Sequence, residues 1–241
     1  MVDFPTTLED AIAQAQTATQ AALAAGYTRL LVDLAIPELK PMQPAYQYLA
    51  TLGGDQAAIK VFFTDAGAAA LARRDWGDAP YSIQSIDIQG TRQTTPVELL
   101  VSPEDQMFVF VSPSAVEVGV VEQIANAAGD RPVILFNPRL EDVSVVGIGF
   151  TARKLRERFL NTIEPCYYLK PLEGLVLLRL YPSPWQVWLE TEEGYNLVAE
   201  EAQKPTLERL DEIVTQVLGV KATPAQSMLS GLQRILRAIG R

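Results

Sequence analysis

Residues 59–74 read IKVFFTDAGAAALARR, and this stretch decides the fold. It opens with five residues that are mostly branched or aromatic, a composition that favours a buried strand. Thr64 and Asp65 follow, and a short polar side chain at this position can cap a helix. The alanine-rich segment 66–74 then predicts that helix. A strand that leads directly into a helix is the first half of a βαβ unit.

The same alternation of strand and helix continues on both sides of this stretch. Thr6 and Glu9 have the form of a capping box before a helix over residues 7–25, and Gly26 ends that helix. Further strands are predicted at 30–36, 82–88, 107–111 and 132–136, and further helices at 44–53 and 116–129. Repeated alternation of this kind implies parallel strands with helices on both faces, a Rossmann-like three-layer α/β fold.

The pattern changes after Ile148. A basic helix over 152–162 is followed by short strands at 167–169, 175–180 and 186–189, which prolines and glycines separate. Short connections predict antiparallel strands, so we expect a mixed, mostly parallel sheet that ends in C-terminal antiparallel strands. One more helix is expected over 205–218.

Residues 1–222 are therefore predicted to form a single α/β domain, and residues 223–241 a separate basic amphipathic helix. Leu232 and Leu236 belong to the apolar stripe of this helix, whereas Arg234 and Arg237 lie on its polar side. The helix has three possible contacts: its own domain, a groove on a partner protein, or an anionic membrane surface. Three positive charges would support only weak peripheral membrane binding.

The composition excludes several classes of protein. The 241 residues carry a formal net charge of −9, which disfavours a nucleic-acid binder. No run of about 18 apolar residues predicts a transmembrane helix, and Met1 to Thr7 does not have the order of a signal peptide. We expect a cytoplasmic protein.

Histidine is absent, and Cys166 is the single cysteine. Imidazole is the usual general base and the usual partner of a Ser or Cys nucleophile, so we predict no catalytic residue. A lone thiol without imidazole also excludes a zinc site of the ordinary kind, and we expect a buried, inert Cys166 with no metal and no cofactor. An enzyme that uses only carboxylates, Lys, Tyr or bound magnesium remains open.

One motif suggests anion binding. Residues 147–152 match the dinucleotide pattern G-x-G-x-x-A before a basic helix, so Gly147, Gly149, Thr151 and Arg153 are candidate ligands of a phosphate. The motif comes late in the chain and lacks a clear acidic ribose ligand, so a tight turn before a solvated basic helix is the alternative. No P-loop sequence occurs.

Other candidate residues fall near the ends of predicted elements. Asp33, Asp65 and Asn137 lie at or near the carboxyl ends of strands, where open α/β sheets bind ligands. Helix capping by Asp65 and a turn at Asn137 are the structural alternatives. Trp185 and Trp188 lie in a segment rich in aromatics and prolines, which forms either a partner-binding edge or part of the core.

Several stretches together resemble a cyanobacterial and plastid domain-of-unknown-function family. They are residues 62–69, 136–140, 158–160, 167–172 and 179–185, and the likeness covers roughly residues 4–218. This family includes the low photosystem II accumulation factor and the C-terminal domain of a plastid adenylate kinase. The resemblance implies a protein that assists photosystem assembly, with the periphery of the thylakoid membrane as a second expected location. It supplies no catalytic residues, because the P-loop of the kinase belongs to a different domain.

The leading hypothesis is a non-enzymatic accessory or assembly factor of a photosynthetic cell that acts through protein–protein binding. The alternative is a nucleotide- or phosphate-binding regulatory domain centred on Gly147, Gly149 and Arg153.

Overall fold

The computed structural model describes residues 3–86, 96–140 and 150–218. In these ranges the chain forms a nine-stranded mixed sheet flanked by helices, which confirms the predicted α/β class. The strands are β1 (Arg29–Leu34), β2 (Ile59–Phe63), β3 (Ser82–Ser85), β4 (Met107–Val111), β5 (Val133–Phe136), β6 (Glu164–Leu172), β7 (Leu175–Leu180), β8 (Trp185–Thr191) and β9 (Gly194–Glu201). The helices are α1 (Leu8–Ala24), α2 (Met42–Ala50), α3 (Ala66–Trp76), α4 (Val97–Leu100), α5 (Val118–Ala128), α6 (Phe150–Arg158) and α7 (Leu207–Leu218). The predicted helix over 223–241 lies outside the described residues.

The strand order is β3-β2-β4-β5-β1-β6-β7-β8-β9. All neighbours from β3 to β6 are parallel, and all neighbours from β6 to β9 are antiparallel. The predicted antiparallel C-terminal strands are thus confirmed as β6, β7 and β8. The fourth, β9, was not predicted, and it forms one edge of the described sheet.

Helix α1 begins one residue later than its sequence suggested. Thr7, not Thr6, is the N-cap: its hydroxyl accepts a hydrogen bond from the Asp10 amide at 3.0 Å, and the Asp10 carboxylate accepts one from the Thr7 amide at 3.1 Å. The capping box therefore uses Asp10 in place of Glu9. Hydrogen bonds from the Thr7 and Thr6 side chains lower the pKa of Asp10.

Helices cover the two faces of the sheet unequally. On one face α1, α2 and α3 pack on the strands, with Tyr48 of α2 among the largest buried side chains. On the other face α5 packs on β4 and β5, and Leu155 of α6 joins the same cluster. Farther along that sheet, α7 covers β7 and β8 through Leu210 and Ile213. This division follows from the right-handed crossovers between parallel strands, which place helices on opposite faces when the strand order reverses.

Buried strand β2 contains one charged residue, Lys60. Its ammonium lies 2.7 Å from an Asp105 carboxylate oxygen and donates to the Leu100 carbonyl at 3.2 Å. Asp105 also accepts a hydrogen bond from the Ser102 amide at 2.7 Å. Both residues are at least nine-tenths buried, so each charge depends on the other for compensation.

Candidate functional site

Strands β1 and β5 are neighbours in the sheet, and the connections that follow their carboxyl ends run in opposite directions. The connection after β1 leads to α2 on one face, and the connection after β5 leads towards α6 on the other. Connections that leave in opposite directions open a crevice between them, and open α/β sheets bind ligands at such a switch point. The fold therefore predicts a ligand-binding site in the crevice between β1 and β5.

The side chain of Asn137 holds this crevice in shape. Its Oδ1 accepts a hydrogen bond from the Leu34 amide at 2.8 Å, and its Nδ2 donates to the Leu34 carbonyl at 3.0 Å. The Asn137 amide in turn donates to the Val32 carbonyl at 2.7 Å. The carboxamide therefore continues the β1–β5 ladder by one step after β5 has ended, and it satisfies both backbone groups of Leu34.

The backbone around the crevice is unusual. In the described part of the chain, three residues other than glycine have positive φ: Glu38 at 63°, Ser112 at 52° and Asn137 at 47°. Ser112 follows β4 directly, Asn137 follows β5 directly, and Glu38 lies in the loop after β1. Left-handed backbone is costly for residues with a Cβ atom and is concentrated at functional sites.

A cavity of about 590 Å³ lies in this crevice, and we call it the switch-point cavity. Its polar lining comes from Asp33 on β1, Ser112 after β4, Asn137 and Arg139 after β5, and Lys170 on β6. The rest of the lining is apolar and includes three prolines: Leu34, Ala35, Ile36, Pro37, Leu39, Pro41 and Pro138. Its volume falls in the range of about 300–1,000 Å³ that is usual for small-molecule sites.

A second cavity, of about 530 Å³, shares Asp33 and Pro138 with the first, and we call it the aromatic cavity. The rings of Tyr168 and Trp185 meet edge to face there, with centroids 5.3 Å apart. The ammonium of Lys204 lies 4.0 Å from the Tyr168 ring centroid. Cation–π contacts of this kind stabilise a charge above a ring face.

Arg179 also lines the aromatic cavity. Its guanidinium lies 3.1 Å from a Glu164 carboxylate oxygen and 5.7 Å from the Tyr181 ring centroid. Its buried Nε–H has no hydrogen-bond acceptor within the residues that the structure describes. The aromatic cavity therefore has balanced charge, with two acids and two bases.

The predicted anion site falls largely outside the described residues. Gly147 and Gly149 lie outside the described residues, and for Thr151 and Arg153 only the backbone, in the first turn of α6, is described. The phosphate-binding role of these four residues stays a prediction.

Among the acidic and amide candidates, some line a cavity, as a ligand-binding role requires, and one caps a helix. Asp33 lines both cavities, and Asn137 lines the switch-point cavity while it bridges the strands. Asp65 is the N-cap of α3, where its Oδ1 accepts from the Ala68 amide at 2.8 Å, so it follows the capping alternative.

Both candidate tryptophans are buried, which argues against an exposed aromatic edge. Trp185 is 5% exposed and Trp188 is 7% exposed. They point to opposite faces of β8, so Trp185 packs under α7 and Trp188 packs against Phe4, with ring centroids 5.3 Å apart. A partner that binds at β8 would therefore contact the residues around these indoles and not the indoles themselves.

Of the remaining candidate residues, four lie outside the described ranges and one is buried. Leu232, Arg234, Leu236 and Arg237 lie outside the described residues, and their partner-binding role stays a prediction. Cys166 is fully buried, as expected, and burial raises its pKa to about 12. In the described ranges, no group of three or more His, Cys, Asp or Glu side chains could hold a metal ion, and no helix there could cross a membrane.

A surface that the sequence did not indicate lies at the end of the sheet, and we call it the acidic edge. It consists of β9, the turn before it and the exposed side of α7. Residues 186–216 hold eight acidic and two basic residues. Glu192, Glu193, Glu208 and Asp211 are exposed, and Leu197 on β9 is 41% exposed.

The family comparison covers most of the chain. The family model described as "Domain of unknown function (DUF1995)" matches residues 5–212. The chain belongs to the DUF1995 family. The match runs from the start of α1 through all nine strands and into α7, so the DUF1995 domain contains both cavities and most of the acidic edge.

Proposed function

We propose that this DUF1995 protein is a non-enzymatic accessory factor that binds protein partners, and that it assists photosystem assembly in a photosynthetic cell. The acidic edge is the binding surface, and its occupant is an extended basic segment of the partner. The observation that carries this proposal is β9, an eight-residue strand with neighbours on one side only in the described sheet.

Edge strands are natural sites for protein recognition. Their outward N–H and C=O groups can pair with an added strand, which supplies affinity from the backbone of the partner. Alternate side chains of β9 then choose the partner, and Leu197 offers an exposed apolar contact. A long exposed edge is therefore consistent with a partner that pairs with it.

The negative charge of the acidic edge favours a partner segment that is basic. The acidic edge carries Glu192 and Glu193 at the β8–β9 turn, and Glu208 and Asp211 on α7. Some of its charge is compensated internally, since Arg209 contacts Glu201 at 2.8 Å and Glu212 at 3.0 Å. The excess of acids would draw a lysine- or arginine-rich segment and repel an acidic one.

The photosynthetic part of the proposal rests on the resemblance within the family. The low photosystem II accumulation factor and the C-terminal domain of a plastid adenylate kinase are the relatives in question. A domain found beside a kinase and also in an assembly factor is more simply a binding module than an enzyme with one fixed reaction. We propose a location in the cytoplasm, in contact with thylakoid components.

A quantitative pull-down tests the binding surface. The full chain is compared with two variants, Glu192→Lys/Glu193→Lys and Leu197→Lys, against solubilised thylakoid extract at two salt concentrations. We expect each variant to capture at least tenfold less of the partners, and we expect captured amounts to fall as salt rises.

A matched control separates this surface from net charge. Asp78→Lys/Asp130→Lys changes the net charge by the same amount at two exposed positions outside the acidic edge, so it should capture partners normally. A chain that ends at residue 222 shows whether the basic residues 223–241 contribute. Equal capture by all variants would refute the proposed surface.

The cellular role needs its own experiment. A strain that lacks the protein should accumulate less photosystem II than its parent, measured by low-temperature fluorescence. The control variant should restore accumulation, whereas Glu192→Lys/Glu193→Lys should not. Normal photosystem II in the deletion strain would contradict the assembly role.

A further inference from the structure

We propose that the switch-point cavity binds a hydroxyl-bearing organic phosphate of about mononucleotide size. This site shares no lining residue with the acidic edge. It therefore adds a ligand to the proposed protein-binding function and does not depend on that function.

The position of the charges points to an anion. Arg139 follows β5 and Lys170 lies on β6, and these two strands flank β1 on either side. Arg139 lies beyond the end of β5 and forms an isolated bridge to Ser114 after β4, so the two cationic residues line the cavity from opposite sides of β1. Long, flexible side chains in this arrangement can close on one anionic group from both sides.

The electrostatic setting strengthens this assignment. The whole molecule has a formal charge of −9, yet the two cavities together are lined by Arg139, Lys170, Arg179 and Lys204 against the acids Asp33 and Glu164. A cationic mouth on an acidic protein concentrates small anions locally, because potentials focus in clefts. The larger of the two cavities has two bases and one acid among its lining residues.

The number of charges favours a phosphate monoester over a carboxylate. A phosphate monoester carries about −1.5 to −2 charges near neutral pH on three acceptor oxygens, so it can pair with both cations at once even beside Asp33, whereas a carboxylate carries one charge. Asp33 lies on β1 between the two cationic residues and supplies an acceptor for hydroxyl groups of the ligand. A carboxylate paired with a sugar hydroxyl is a recurrent use of an acid at a strand end.

The apolar lining fits the remainder of such a ligand. Pro37, Pro41 and Pro138 present rigid rings, and Leu39 adds an aliphatic side chain. The cavity is held open in advance, because the Asn137 carboxamide ties the end of β5 to Leu34 of β1. A preformed site loses little conformational entropy when its ligand binds.

Isothermal titration calorimetry on the full chain tests this site. The probes are adenosine 5′-monophosphate, ribose 5-phosphate, adenosine and inorganic phosphate. We expect both organic phosphates to bind, and adenosine to bind at least tenfold more weakly, because it lacks the charged group. Absence of binding of any phosphate at millimolar concentration would overturn the proposal.

Variants assign the binding to named residues. Arg139→Gln and Lys170→Gln should each weaken the organic phosphates by about tenfold or more. Asp33→Asn should weaken the organic phosphates relative to inorganic phosphate, since only the organic phosphates have sugar hydroxyls to donate to the carboxylate. Arg139→Lys keeps the charge and should restore part of the affinity.

Lys204→Gln is the matched control, because Lys204 lines only the aromatic cavity. It removes the same charge outside the switch-point cavity, so binding should weaken much less than in Lys170→Gln. Loss of binding in Lys204→Gln but not in Lys170→Gln would place the ligand in the aromatic cavity and overturn the assignment. Thermal melting of each variant establishes that it is folded before titration.

Discussion

Replacing Asn137 by alanine should lower the free energy of unfolding by about 3 kcal/mol. The substitution removes both hydrogen bonds to Leu34, at 2.8 and 3.0 Å. The amide of that buried residue then lacks its partner, whereas its carbonyl keeps the hydrogen bond from the Ile36 amide at 2.7 Å. Two such bonds contribute about 2 kcal/mol in total. Alanine at φ 47° adds about 1 kcal/mol, because its Cβ disfavours the left-handed region more than asparagine does.

Two further substitutions separate these contributions. Asn137→Gly loses the hydrogen bonds but tolerates positive φ, so we expect a loss of about 2 kcal/mol. Asn137→Asp keeps the acceptor for the Leu34 amide and places a carboxylate oxygen against the Leu34 carbonyl. Its loss should shrink as the pH falls towards about 4, because the protonated carboxyl group can donate to that carbonyl and the repulsion of the carboxylate is removed.

Urea unfolding, followed by circular dichroism and tryptophan fluorescence together, measures these values. Asn196→Ala is the control: its side chain makes one long contact of 3.4 Å to Thr191 on the exposed edge, so it should cost less than about 0.5 kcal/mol. The reasoning is refuted if Asn137→Ala costs no more than this control, or if glycine is as costly as alanine at position 137.

Three other predictions concern the buried groups. Lys60→Met should cost about 3 kcal/mol in urea unfolding, because it leaves the buried Asp105 carboxylate uncompensated; adding Asp105→Asn should recover part of that loss. Cys166 should react with a thiol reagent at pH 8 far more slowly in the folded protein than in urea, since a pKa of about 12 keeps the thiol protonated; equal rates would contradict its burial. Glu122→Gln should lower stability much less than Lys60→Met, because it breaks a bidentate contact, at 2.6 and 2.8 Å, with the largely exposed Arg158; the double variant with Arg158→Gln shows whether the pair is coupled.

The layered fold could be predicted because it depends on local spacing. The strand–helix sequence of residues 59–74 appears in the structure as β2 and α3, with Asp65 as the cap. Strand β9 escaped prediction because half of its residues are exposed and none is buried, and because its short apolar run, Leu197 to Ala199, is followed directly by Glu200 and Glu201. The capping box is formed by Thr7 and Asp10 and not by the predicted Thr6 and Glu9. Both pairs have suitable polar side chains at the right spacing, so the sequence alone did not distinguish them.

The candidate sites were predicted only in part. The rule that ligands bind at the carboxyl ends of strands pointed to Asp33 and Asn137, and both line the switch-point cavity. Lys170 was missed because it lies within β6. From the sequence alone, a charged residue in a strand is expected to face solvent, and its place beside a cavity depends on the neighbouring strands. Trp185 and Trp188 could not be assigned to core or surface, since burial depends on which helices cover each face.

The sequence by itself determined most of the strands and helices, β9 and α4 excepted, and that parallel pairing gives way to antiparallel pairing near the C-terminus. Hydrophobic periodicity and turn residues act over a few positions, so they can be read along the chain. Only the tertiary structure decided which strand ends are neighbours. Asn137 and Leu34 are 103 residues apart, and their contact exists because β5 and β1 pair in register, a long-range choice made by packing of the whole sheet.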